Sequence, residues 1–167
     1  MKIDFVSDIA CPWCVVGLYA LEEALRRVGP DVPVELHFQP FELNPQMPPG
    51  GQDIDEHLQQ KYGSTPEQAA LVRERIRAAG AALGFTFSLQ TRSRIYNTFD
   101  AHRLLHWAAL EGHQLALKQA LFQAYFTDGE DPSNHQVLIR AAARVGLDAT
   151  RAGGILDSNE FGAVVRK

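Results

Sequence analysis

The chain has two cysteines, and both lie in one segment, Cys11-Pro12-Trp13-Cys14. That segment sits where a strand runs directly into a helix, which is a strong constraint on the fold. Upstream, Ile3-Asp4-Phe5-Val6-Ser7 is short, apolar-rich and alternating, the pattern of a strand. Downstream, Leu18, Leu21, Leu25 and Val28 recur at steps of three and four, the pattern of one helix face. Glu22–Arg26 and Glu23–Arg27 are spaced to pair along that helix, and Gly29-Pro30 ends it. Val34, Leu36 and Phe38 then alternate with Glu35, His37 and Gln39, giving a second strand. Strand, helix and strand in this order predict a right-handed crossover between parallel strands.

The cysteine spacing points to redox chemistry. Two intervening residues place both sulfurs on the first helical turn, within reach of a disulfide, and beside a β-α-β pattern this reads as a redox motif. A helix N-terminus carries partial positive charge and unpaired N–H groups, which stabilise a thiolate. Cys11 is therefore the expected nucleophile and Cys14 the resolving cysteine. Pro12 fits the first turn, where its missing N–H costs nothing. Trp13 cannot be buried without burying both sulfurs, so Pro12 and Trp13 are candidate substrate contacts. Two other readings stay open. Zinc requires four ligands, and His102 and His106, at i and i+4 on a predicted helix, are the candidates to complete a site. The cysteines could also be inert, in a module that binds a partner through the Pro40–Gly51 loop and a helical face.

Composition narrows the class. Of the 167 residues, 46% are hydrophobic and 22% charged, which describes a globular chain. The net charge of −4 comes without a basic cluster and argues against nucleic-acid binding. No apolar run reaches membrane-spanning length. Lys2 and Asp4 already flank strand, so no signal peptide is read and a cytoplasmic location is expected. There, such a pair is catalytic more often than a structural staple.

From Asp53 the pattern becomes helical. Asp53-Ile54-Asp55-Glu56 opens a short helix, and Thr65-Pro66-Glu67-Gln68 opens a longer one that stops at Gly84. Further helices are predicted from Thr98 to about Glu111, from Leu115 to Phe126, and from a Ser133 cap to Val145; two more open at Asp148 and Ser158. The predicted organisation is a β-α-β part over residues 1–45, an all-helical insertion over 46–157, and the start of a returning helix over 158–167.

Taken together, C-P-W-C after the first strand, F-x-P-F-x-L-N-P at Phe38 to Pro45, and N-T-F-D-A-H-R-L at Asn97 to Leu104 resemble DsbA-family oxidoreductases of the FrnE type. The resemblance spans almost the whole chain. It implies an α/β, thioredoxin-like fold with a helical insertion, and thiol–disulfide oxidoreductase or disulfide isomerase activity, with disulfide-containing proteins or low-molecular-weight thiols as the expected substrates. Cys11 and Cys14 match the family's redox pair. No cofactor is implied, with glutathione the candidate redox partner. The related kappa-class glutathione transferase and 2-hydroxychromene-2-carboxylate isomerase group shares the N-T-x-x-A segment but usually carries serine where this chain has Cys11. A glutathione-dependent isomerase or transferase is therefore the alternative activity. Asn97 matches a position near the active site of that group, and its other reading is a helix cap. The family fold ends with a cis-proline loop, two strands and a helix that this sequence does not contain. The chain is thus expected to be truncated before them, with an uncovered apolar sheet face that promotes self-association.

Overall fold

The computed structural model describes residues 1–88 and 92–167. The expected β-α-β unit forms from β1 (Lys2–Ser7), α1 (Pro12–Val28) and β2 (Glu35–Pro40). β1 and β2 are parallel, with Phe5 opposite Phe38 and their rings edge-on at 5.6 Å. Phe5 and Phe38 face the helices. The other sheet face presents Lys2, Asp4, Glu35, His37 and Gln39, tied by Gln39–Asp4 and His37–Glu35 hydrogen bonds. Only Val6, 60% exposed, is apolar there, so the expected uncovered apolar face is in fact a polar one.

The middle of the chain supplies α2 (Ile54–Tyr62), α3 (Pro66–Ala82), α4 (Phe99–Leu110), α5 (Gln114–Phe122), α6 (His135–Arg144), α7 (Ala149–Asp157) and α8 (Gly162–Val165). It is not wholly helical. β3 (Gln52–Asp53) and β4 (Arg94–Ile95) pair antiparallel, and a π-helical turn, Gln123–Thr127, continues α5. Two-residue strands leave too short a pattern to read in a sequence. Among the described residues, no helix is long and apolar enough to cross a membrane.

Local chemistry accounts for most helix ends. Asp53 accepts from the N–H groups of Asp55 and Glu56, and Thr65 with Gln68 forms a reciprocal capping box. Three expectations are corrected. Asn134, not Ser133, caps α6, because Ser133 turns back to Asp131. Ser158 ends α7 instead of opening a helix, and α8 begins at Gly162. Glu22 does not pair with Arg26: Glu23 takes both Arg26 and Arg27, and Glu22 accepts from Gln119 of α5.

α4 lies at the centre, packed against β2, α5, α6, α7 and α8, with Ala101, Leu104, Leu105, Trp107 and Ala108 buried. Its Arg103 is buried too and donates to the carbonyls of Ile155, Ser158 and Glu160, which fastens the end of α7 to α4. α1 packs on α3. Between them an aromatic series runs from Tyr19 through Phe85 and Phe87 to Phe126, with centroids 5.2, 4.8 and 5.4 Å apart.

Candidate active site

β1 delivers the chain inward, and Ser7, Asp8, Ile9 and Ala10 are all buried. Cys11 follows as the residue before α1, in extended conformation (φ −95°, ψ 109°), with Pro12 at the first helical position. Its N–H donates to the Asp8 carbonyl at 3.3 Å, and the Cys14 N–H donates to the Cys11 carbonyl at 3.1 Å. No side-chain oxygen caps this helix, and its first turn holds no acid. The N–H groups of Trp13 and Cys14 lie at this helix start and favour a charge on the Cys11 sulfur. Both cysteines are free thiols, and Trp13 is 50% exposed.

The pair is electrostatically coupled. The hydrogen bond from Cys11 pulls Cys14 down to about 7, helped by the Asp8 N–H and the Lys118 charge and opposed by burial and the Asp8 carboxylate. Cys11 is pushed up by that same hydrogen bond, by burial and by the Cys14 charge. The helix dipole alone predicts the charge on Cys11. The buried groups behind the pair add to the helix dipole: Lys118 and the Asp8 N–H favour a thiolate on the Cys14 side, and the Asp8 carboxylate opposes it. One proton between two sulfurs belongs to the pair, so a shift along the shared hydrogen bond frees Cys11 without changing the total charge.

Behind the sulfurs stand two charged groups, Asp8 and Lys118, that no motif in the sequence marks. Asp8 is 1% exposed and accepts from the Thr98 hydroxyl at 2.6 Å, the Leu43 N–H at 2.8 Å and His102 Nε2 at 3.1 Å. Burial works to raise its carboxyl, but the hydrogen bonds, His102 foremost, lower it on balance. Lys118, 1% exposed on α5, sets its ammonium 5.6 Å from the Phe38 ring centre and 5.2 Å from that of Phe122. Burial pulls Lys118 down to about 8 against the charges of Asp8, Cys14 and Cys11. The available signal was weak: one acid three residues before the C-x-x-C, and one lysine among the apolar residues of α5.

Asn97 does not line the cavity beside Cys11. It precedes Thr98, the N-cap of α4; its Oδ1 accepts from the Phe99 N–H at 2.9 Å, and its Nδ2 donates to the Met47 carbonyl at 3.4 Å. His102 is taken by Asp8, and His106 lies against the Phe161 ring. Among the described residues, no group of three His, Cys, Asp or Glu side chains could hold a metal ion.

Cys11, Pro12 and Trp13 form one wall of a cavity of about 370 Å³, and α2, α3 and β4 form the others. Cys14 is not part of its lining. Both cysteines are half-buried; Cys11 lines the cavity, while Cys14 packs towards the core.

A model of the DSBA-like thioredoxin domain family matches residues 2–167. The Bacillus subtilis (strain 168) protein YwbO is 28% identical over 169 residues, which cover 100% of this chain and 77% of YwbO. The crystal structure of a probable DsbA oxidoreductase from Streptomyces coelicolor superposes with a TM-score of 0.86 at 33% identity, over 99% of this chain and 72% of that one. The structure of a 2-hydroxychromene-2-carboxylate isomerase superposes with a TM-score of 0.67 at 14% identity, over 95% of this chain and 72% of that one, a likeness of fold alone.

Proposed function

The chain belongs to the DSBA-like thioredoxin domain family, and on that premise we propose that Cys11 and Cys14 are the redox pair of a thiol–disulfide oxidoreductase. The observation that carries the reading is the placement of the only two cysteines on one helical turn, with one sulfur facing a cavity and the other facing buried Lys118 and Asp8.

In the reducing direction, the shared proton moves to Cys14 and the Cys11 thiolate attacks one sulfur of a substrate disulfide. The substrate S–S bond breaks, and the second substrate sulfur leaves as a thiolate with the bonding pair. A Cys11–substrate mixed disulfide remains. Cys14 passes its proton to the substrate thiolate already released, attacks the Cys11 sulfur and expels the first substrate sulfur as a thiolate, which takes its proton from water. The protein ends with a Cys11–Cys14 disulfide and the substrate with two thiols. The reverse sequence oxidises a dithiol. Lys118 favours the Cys14 thiolate needed in the resolving step, while Asp8 opposes it and so limits how far the reduced form is stabilised. Substrates are disulfide-bearing proteins or low-molecular-weight thiols, and the reading places the exchange in the cytoplasm.

Mass spectrometry across a series of glutathione buffers tests this. An internal disulfide that forms and breaks reversibly, with a defined potential, is the expected result. A persistent glutathione adduct without an internal disulfide would move the assignment to the glutathione-dependent isomerase or transferase reading.

A further inference from the structure

The cavity beside Cys11 is more than a clearing in front of the sulfur. At about 370 Å³ it falls in the size range of small-molecule sites, and its walls are apolar for the most part, with Ile54, Leu58, Val72 and Ile95 among them. Its charge differs in sign from that of the whole chain. Among the described lining residues there are two guanidinium groups and no carboxylate, in a protein of net charge −4.

The two arginines are not equivalent. Arg73 is already paired, its Nη1 2.5 Å from Asp55. The guanidinium carbon of Arg92 lies over two rings, 4.9 Å from the Tyr125 centre and 4.7 Å from that of Phe126. Its Nε is buried and has no hydrogen-bond partner. A guanidinium held against aromatic rings can still present its terminal nitrogens to a planar carboxylate. No carboxylate among the described lining residues pairs with Arg92, so its charge is left for a carboxylate on a ligand.

We propose that this cavity binds the apolar, carboxylate-bearing half of a low-molecular-weight disulfide, with Arg92 receiving the carboxylate and Cys11 attacking the disulfide. The proposal rests on the exchange reading above and names its substrate class. A partly open recess of about 370 Å³ walled by α2, α3 and β4 suits a compact body better than an extended polypeptide. The step balances: the Cys11–S⁻ and R–S–S–R form Cys11–S–S–R, and R–S⁻ leaves with the bonding electron pair.

The test is the rate at which reduced protein reacts with three disulfide reagents, each divided by its rate with mercaptoethanol thiolate to remove intrinsic reactivity. Dithiobis(nitrobenzoate) is aromatic and anionic, dithiodipyridine is aromatic and neutral, and cystamine is cationic. The wild-type ratio should be highest for the nitrobenzoate reagent. Arg92→Gln should lower that ratio about tenfold, the loss of one charge-assisted hydrogen-bonded contact, and leave the other two within about twofold. Val72→Asp, at the exposed rim, supplies a second variant should Arg92→Gln fold poorly. It should slow the nitrobenzoate reagent and speed cystamine. Unchanged nitrobenzoate ratios in both variants, or an equally fast reaction with a neutral, glycine-flanked peptide disulfide, overturn the proposal while leaving the exchange reading intact. If none of the reagents reacts faster than with mercaptoethanol, the exchange reading itself fails.

Discussion

Asp8 Oδ1 lies 3.1 Å from Nε2 of His102, a residue 94 positions away on α4. The same oxygen accepts from Thr98, while Oδ2 accepts from the Leu43 N–H. One carboxylate thus ties the strand before the cysteines to the start of α4 and to the loop after β2.

That carboxylate should shape the acid limb of stability. Its pKa is lower in the folded protein than the ordinary value of 3.8, so its contribution is present above that value and is lost as pH falls through the folded one. Asp8→Asn cannot ionise and cannot accept through both side-chain atoms. The variant should lose about 1–3 kcal/mol at neutral pH, and its melting temperature should fall less steeply than that of the parent below the 3.8 range. Melting followed by circular dichroism across the acid range checks both. A parallel pair of acid limbs would show that Asp8 is not the titrating group.

Removing the buried cation should change both the thiols and the alkaline limb. Lys118→Met withdraws a charge that lowers Cys14, so the first ionisation of the pair should move above about 7, as read from thiolate ultraviolet absorbance against pH. Lys118 itself titrates near 8 in the fold and at 10.5 ordinarily. Between these values the unfolded chain binds more protons, so the parent gains stability as pH rises through that window. Lys118→Met should lack that gain.

Cys11, the sulfur that lines the cavity, should be alkylated by iodoacetamide well ahead of Cys14. Cys14→Ala should keep the attack, lose the resolving step and accumulate mixed disulfides with glutathione or substrate. Peptide mapping after brief alkylation, and intact mass after exposure to glutathione disulfide, measure the two effects. Turnover by Cys14→Ala at the parental rate would rule out a two-cysteine mechanism.

Gly80 sits where α3 meets the aromatic series. A Cβ there would stand 2.5 Å from the Phe87 ring, which is itself held between Phe85 and Phe126. Alanine gains about 1 kcal/mol of helix propensity but forces the ring aside at a cost of about 1–3 kcal/mol. The clash should prevail, because both neighbours of Phe87 are aromatic and already in contact. Gly80→Ala is expected to melt a few degrees below the parent. A melting temperature above the parent would mean that the ring relaxes freely.

Much of the fold was legible because it rests on local chemistry. The C-x-x-C, the Thr65–Gln68 capping box and the glycine at position 84 each act over a few residues, and such signals survive in a bare sequence. Expectations failed where two local solutions compete. Ser133 and Asn134 can both cap α6, and Asp131 decides between them by accepting the Ser133 hydroxyl. Glu22 has a helical partner in reach at Arg26, but Gln119 of α5 supplies one from outside the helix. Arg103 reads as an ordinary surface residue, since arginine is rarely buried, yet three carbonyls from the end of α7 and the segment after it satisfy it inside the core.

What the sequence determined by itself is the reactive turn: two thiols, a proline and a tryptophan at the start of a helix, with a strand leading in. Spacing alone fixes that geometry, because 3.6 residues per turn places i and i+3 side by side. Tertiary structure decided which charged groups surround those thiols and which of the two cysteines lines a cavity. Lys118 and His102 come to Asp8 and the cysteines from separate helices, and the cavity that takes in Cys11 but leaves out Cys14 is walled by α2, α3 and β4. No local pattern marks such residues, because a buried charge is stable only through partners that the chain supplies from far away.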